Sequence, residues 1–212
     1  SSYAYLTRVE NDGNVALEGW NVYSPLWAPV SIARSPDGDG HCLMLRDEDP
    51  CDYALAERVF PEGRTVKVQL RMMPWQTHTG QLHVEVVDGR GAAAVHLWLD
   101  GDARIRAMSA GDCRDLGAYD PRQWYDLSLT IDVAQRICAV TIPQLALSAS
   151  LVFQAPVNAV ERLVLRTGQR RRYPTPDTPT EADGDVPGAG EPVEAAVYLI
   201  DSVQVESRGI ER

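Results

Sequence analysis

The sequence predicts an all-β protein: a single antiparallel two-sheet β-sandwich of jelly-roll type. Three observations predict it. Between residues 64 and 108 the chain reads as four consecutive runs in which apolar and polar residues alternate, the mark of half-buried strands. Clusters of Gly, Pro, Asn and Asp separate these runs and about eight others. No segment sustains apolar residues at i, i+3 and i+4, so helix should be scarce.

Taken in order, an opening strand spans 3–9, and the turn Asn11-Asp12-Gly13-Asn14 follows. Residues 19–29 gather Trp20, Tyr23 and Trp27, large aromatics suited to plugging the end of a sandwich or to stacking on a ligand. The cluster SPDGDG at 35–40 is a turn, 41–46 a strand with Leu43 and Leu45 inward, 47–52 an acidic loop, 53–60 a strand and 61–63 a turn. The central strands are 65–72, 81–87, 93–100 and 103–108. A hairpin-like passage at 109–116 precedes strands at 124–132 and 137–142, then 148–153, 160–167 and 195–206. Residues 169–194 break the rhythm. Arg170-Arg171-Arg172-Tyr173 leads into Pro174, Pro176, Pro179, Pro187 and Pro192 with acidic residues between, a composition that cannot make a strand. This stretch reads as a loop inserted over one rim of a single domain spanning 1–212.

With 212 residues, 44% of them hydrophobic and 24% charged, the chain can bury one sizeable core. A net charge of −10 argues against nucleic acid and anionic membrane as partners, and no apolar run approaches the roughly 20 residues that cross a bilayer. The chain starts at Ser1 with neither Met nor signal peptide, which fits a processed protein or an excised module. Cys42, Cys51, Cys113 and Cys138 show no metal spacing; Cys138 alternates with Val140 and Ile142 as a core residue, and a Cys42–Cys51 clip is open.

The central strands point Val66, Val68, Leu70 and Met72, then Leu82, Val84 and Val86, then Val95, Leu97 and Leu99, then Ile105 and Ala107 toward the core. Their other side carries Gln69, Arg71, His83, His96, Trp98, Arg104 and Arg106, joined by Arg166 if 160–167 pairs beside them. These side chains hydrogen-bond and stack on flat polar ligands, and Arg pairs with carboxylate in a bidentate way. The bland alternative is a solvated face tied by cross-strand pairs such as Arg71 with Glu85. Four Arg gathered on one face of an acidic protein predict an acidic polysaccharide ligand.

The phrases GWNVYSPLWAPVSIA, LRDEDPCDYALAERVFPE, GQLHVEVVDGRG, DPRQWYDLSLTID, VERLVLRTG and AVYLIDSVQVES together resemble the concanavalin A-like (laminin G-like) jelly-roll domains of bacterial carbohydrate-active proteins. The resemblance covers residues 19–207. It implies two sheets, a concave outer face that holds sugar, structural packing by Trp124, Tyr125 and Leu127, and a closing strand through Tyr198, Ile200 and Asp201. Such domains accompany sialidase-like β-propellers or other glycan-degrading domains. The expectation is therefore a secreted, carbohydrate-binding accessory module for a uronate-containing polysaccharide or oligosaccharide, working beside a catalytic β-propeller or other domain of a larger protein.

The rival expectation is an enzyme. The paired carboxylates of a glycoside hydrolase are absent, since Glu85 and Asp100 sit on separate strands. Gln81-Leu82-His83 echoes one of three motifs carried by alginate lyases of this fold, and the other two are absent. In a lyase, Arg71 or Arg166 would neutralise the uronate and His83 with Tyr173 would act as base and acid. No cofactor is expected beyond a structural calcium, for which the acidic loop 47–52, or Glu10 with Asp201, supplies oxygen ligands.

Overall fold

The computed structural model describes residues 2–4, 19–38, 40–168 and 191–208. Their strands are β1 (Ser2–Ala4), β2 (Trp20–Tyr23), β3 (Val30–Arg34), β4 (His41–Asp47), β5 (Leu55–Gly63), β6 (Thr65–Pro74), β7 (Leu82–Val87), β8 (Ala93–Leu99), β9 (Arg104–Ser109), β10 (Asp112–Ala118), β11 (Tyr125–Asp132), β12 (Ile137–Ile142), β13 (Leu147–Val152), β14 (Val160–Arg166) and β15 (Ala196–Arg208). Among the described residues the only helical turn is 3₁₀, Pro143–Leu145. The strands form two antiparallel sheets, a β-sandwich of jelly-roll type. The first sheet runs β13-β12-β11-β6-β15-β4-β3, with β1 beside the later half of β15; the second runs β10-β9-β8-β7-β14-β5-β2.

The alternation read from sequence decides which side chains meet between the sheets. Val66, Val68, Leu70 and Met72 of β6 join Leu127, Leu129 and Ile131 of β11 and Tyr198 and Ile200 of β15 on the inner side of the first sheet. Leu82, Val84 and Val86 of β7, Val95, Leu97 and Leu99 of β8 and Leu163 and Leu165 of β14 face them from the second. All are buried, and each large aliphatic removed from water contributes about 1.5–3 kcal/mol. Cys138 lies in this core as expected, and none of the four cysteines pairs, so the Cys42–Cys51 clip does not form.

Three expectations change. β6 does not lie beside β7: it is in the first sheet between β11 and β15, while β7, β8 and β9 are neighbours in the second. β5 continues through Pro61, Glu62 and Gly63 where a turn was expected. Proline is tolerated there because β2 pairs only with residues 55–58 of β5 and the β14 register slips opposite residues 60–62, so no ladder donor is required. Finally, 30–34 forms β3 against β4, a strand directly after the aromatic segment 19–29 where none was expected. Of the expected insertion 169–194, residues 169–190 lie outside the described residues, as do Glu10 and Tyr173.

Candidate functional site

The two outer faces divide the expected site. Arg106 stands opposite Trp98, Trp98 opposite His83 and His83 opposite Arg166, one row across β9, β8, β7 and β14 of the second sheet. Gln69 and Arg71 are on β6 and face outward from the first sheet, on the opposite side of the sandwich. The eight residues are therefore not one face. Arg71 also does not pair with Glu85.

On the second sheet the row is internally satisfied. Trp98 and His96 have ring centroids 4.9 Å apart, and His83 stacks on His96 at 5.2 Å and on Trp98 at 6.1 Å. Gln81 Oε1 can only accept, so His83 Nε2–H donates to it at 2.9 Å; His83 Nδ1 then accepts from His96 Nε2–H at 2.9 Å. His83 is 1% exposed, and burial, followed by the nearby Arg166 and His96, drives its pKa down to about 2. It is a neutral imidazole with both nitrogens engaged. Arg166, 3% exposed, forks onto both oxygens of buried Glu85 at 3.1 Å and also donates to the Gly168 carbonyl. Arg104 forks onto Asp115 at 2.7–3.2 Å, and Arg106 reaches Asp100 at 2.5 Å and Asp102 at 2.6 Å. The Asp115 carboxyl is held below its usual range by that Arg104 pair. Each arginine thus faces a carboxylate of its own sheet.

The outer face of the first sheet carries the Gln69 and Arg71 part of the expected site. A groove of about 410 Å³ crosses its outer face and is lined by Gln69 and Arg71 of β6, Asp126 and Ser128 of β11, Thr141 of β12 and Gln204 of β15. The ladder sets these side by side: Asp126 with Arg71 and Arg71 with Asp201, then Ser128 with Gln69 and Gln69 with Gln204. Between those rows β15 takes one residue more than β6, and Ser202 adopts φ +52°. Such a bulge bends the strand and re-aims its neighbours. Arg71 lies over the Trp124 ring at 4.6 Å and faces three carboxylates: Asp37 at 3.3 Å, Asp126 at 3.4 Å and Asp201 at 3.9 Å. Gln144 steadies Asp126 by donating from Nε2 at 2.6 Å. Beyond Arg71, Met73, Leu199 and Cys42 pack with Trp124 in a small apolar patch. A groove that mixes donor, acceptor, amide and hydroxyl groups beside an aromatic plane suits hydroxyl-rich ligands.

Asp201 is thereby engaged by a guanidinium. In the acidic loop, the Asp49 carboxylate accepts the backbone N–H of Cys51 and Asp52, and Asp47 accepts from Asp49 N–H, so these oxygens close a turn. Among the described residues no three His, Cys, Asp or Glu gather as a metal site. Asp126, Ser128, Thr141 and Gln204 were missed from sequence. The outward parity of Asp126 and Ser128 was readable from Leu127, Leu129 and Ile131, and that of Thr141 from Val140 and Ile142, but the strand order that gathers them around β6 was not, and the bulge in β15 hides the parity of Gln204.

The family described as "Sialidase-like, CBM domain" matches residues 20–182. The chain belongs to this family. A structure titled "Sialidase" is 34% identical with TM-score 0.80, over 90% of this chain and 17% of its own. The sialidase-like carbohydrate-binding domain thus spans about a sixth of that protein's length. The carbohydrate-binding module CBM66 from Bacillus subtilis (10% identity, TM-score 0.51, 89% of this chain and 96% of its own) shares the fold. So does the alginate lyase AlgAT5 of polysaccharide lyase family 7 (9%, 0.53, 90% and 94%). No curated protein sequence matches.

Proposed function

We propose that this domain is a carbohydrate-binding accessory module of a larger, secreted glycan-degrading protein, and that its sugar occupies the groove around Arg71. One observation carries the choice of face: Arg71 lies over the Trp124 ring in a groove that crosses several strands of the first sheet, whereas His83 and Arg166 of the other face are closed off. The arginines that suggested a uronate ligand are already matched by carboxylates, and Arg71 faces three of them. A second anion there would meet a locally negative field. Neutral sugar hydroxyls suit the groove better, because they donate to Asp126 and Asp201 and accept from Arg71 and Gln69.

The lyase reading lacks such support. A general base must reach the proton it removes, and His83 is buried, neutral and hydrogen-bonded through both nitrogens.

Calorimetric titration with neutral and uronate oligosaccharides tests the proposal. Neutral sugars should bind, and Arg71→Ala should weaken them roughly tenfold or more, the worth of hydrogen bonds to a charged group. Trp98→Ala should leave affinity unchanged. Binding lost on Trp98→Ala but kept on Arg71→Ala would move the site to the second sheet.

A further inference from the structure

We infer that the sugar surface is not a single-residue pocket but a track along β11, β6 and β15, built for a linear neutral oligosaccharide laid parallel to the strands. This rests on the groove reading above and extends it to a second depression on the same three strands.

That depression, about 380 Å³, is lined by Thr65 and Lys67 of β6, Thr130 of β11 and Glu206 and Arg208 of β15. The ladder makes it a continuation of the first. Below the row of Asp126, Arg71 and Asp201 come Ser128, Gln69 and Gln204, then Thr130, Lys67 and Glu206, then Asp132, Thr65 and Arg208. From Arg71 to Thr65 is six residues of extended strand, about 20 Å at roughly 3.3 Å per residue. A single sugar ring cannot span that length, and a chain of several rings can.

The side chains along the track decide its occupant. Every outward residue in those four rows is polar, so the surface lacks the apolar centre of a stable protein interface. Acids and bases are interleaved along it, with the acids one in excess. Lys67 stands opposite Glu206, and Arg208 and Asp132 both face Thr65, much as Arg71 stands among its carboxylates. No stretch presents the unbroken positive charge that a polyanion follows. Between the charged rows lie Ser128, Gln69 and Gln204, and Thr130 stands beside Lys67; these hydroxyls and amides both donate and accept, as sugar hydroxyls do. On the flank toward β12 and β13, Ala139, Ser148 and Ser150 are small beside the Ser128 and Thr130 rows, and Ile137 and Val152 close the flank beside Asp132.

The test is a size series. Cello-, xylo-, manno- and galacto-oligosaccharides, each from monomer to hexamer, are titrated into the domain by calorimetry. For the series that binds, affinity should climb at least tenfold with length and level off once the chain covers about 20 Å of strand. Lys67→Ala and Thr130→Ala should each lower hexamer affinity several-fold and leave monomer and dimer unchanged, whereas Arg71→Ala should weaken every length. A monomer that binds as tightly as the hexamer, with Lys67→Ala and Thr130→Ala silent and Arg71→Ala damaging, would overturn the track and leave the groove reading standing. Failure of every series, with Arg71→Ala equally silent, would overturn both.

Discussion

The Glu85–Arg166 pair separates a structural role from a binding role for the second sheet. Both groups are buried, and the guanidinium forks onto the carboxylate at 3.1 Å through Nε and Nη2. The pair ties β7 to β14, which are neighbours in the sheet. Glu85→Gln keeps the shape and removes the charge, leaving a buried guanidinium uncompensated. Breaking a buried pair in this way costs about 3–5 kcal/mol. For a domain of this size each kcal/mol lowers the midpoint by about 2–4 °C, so Glu85→Gln should melt roughly 6–20 °C lower. Urea titration should show the same loss with an unchanged m-value. Glu85→Leu with Arg166→Met removes both charges at similar volume and should recover at least half of the loss, because the cost lies in the orphaned charge. Sugar affinity of folded Glu85→Gln should match wild type, since the groove is on the opposite side of the sandwich. A single variant within about 1 kcal/mol of wild type would refute the reasoning, as would weaker sugar binding with the fold intact.

Three further outcomes are expected. Gly80 has φ +77°, and a Cβ there would sit 2.1 Å from Ala196 Cβ, so Gly80→Ala should cost about 2 kcal/mol or more, read as a lower urea midpoint. Burial, only partly offset by the Thr167 hydroxyl, lifts the Asp47 carboxyl from 3.8 to about 6; the folded state therefore binds the extra proton, and stability should fall as pH rises from about 4 to about 6 and stay lower above that. In Asp47→Asn that downward step should vanish from the pH dependence of the melting midpoint. Binding to a neutral glycan should change little between low and high salt, whereas a steep loss of affinity with added salt would favour an acidic ligand.

The fold was largely legible because the alternation survives in nearly every strand. Val66 to Met72, Leu82 to Val86 and Leu127 to Ile131 all face inward as their spacing requires. The misread boundaries have local causes. At Pro61 a turn residue sits where the strand has no neighbour to satisfy, so turn chemistry and strand geometry coexist. At Val30–Arg34 the strand has four residues of intermediate burial and then exposed Arg34, so it shows no alternation of buried and exposed positions.

The site was legible in composition but not in placement, for a reason that holds for any sandwich. Period-two alternation tells which side chains leave the core; it does not tell from which sheet they leave. Arg71 and His83 have the same outward parity, yet they end on opposite sides of the protein because the chain crosses the sandwich between β6 and β7. The connection carried a hint. β7 to β8 and β8 to β9 are joined by 88–92 and 100–103, lengths typical of hairpins, while β6 to β7 needs 75–81 and includes Gly80 at positive φ. A long connection amid short ones argues for a change of sheet. With β6 removed from the meander, Arg71 loses Glu85 as a partner and gains Asp126 and Asp201 from β11 and β15. That exchange turns a basic face awaiting an acid into a groove of mixed charge suited to hydroxyls, so the inferred ligand class depends on where one strand lies rather than on which residues it carries.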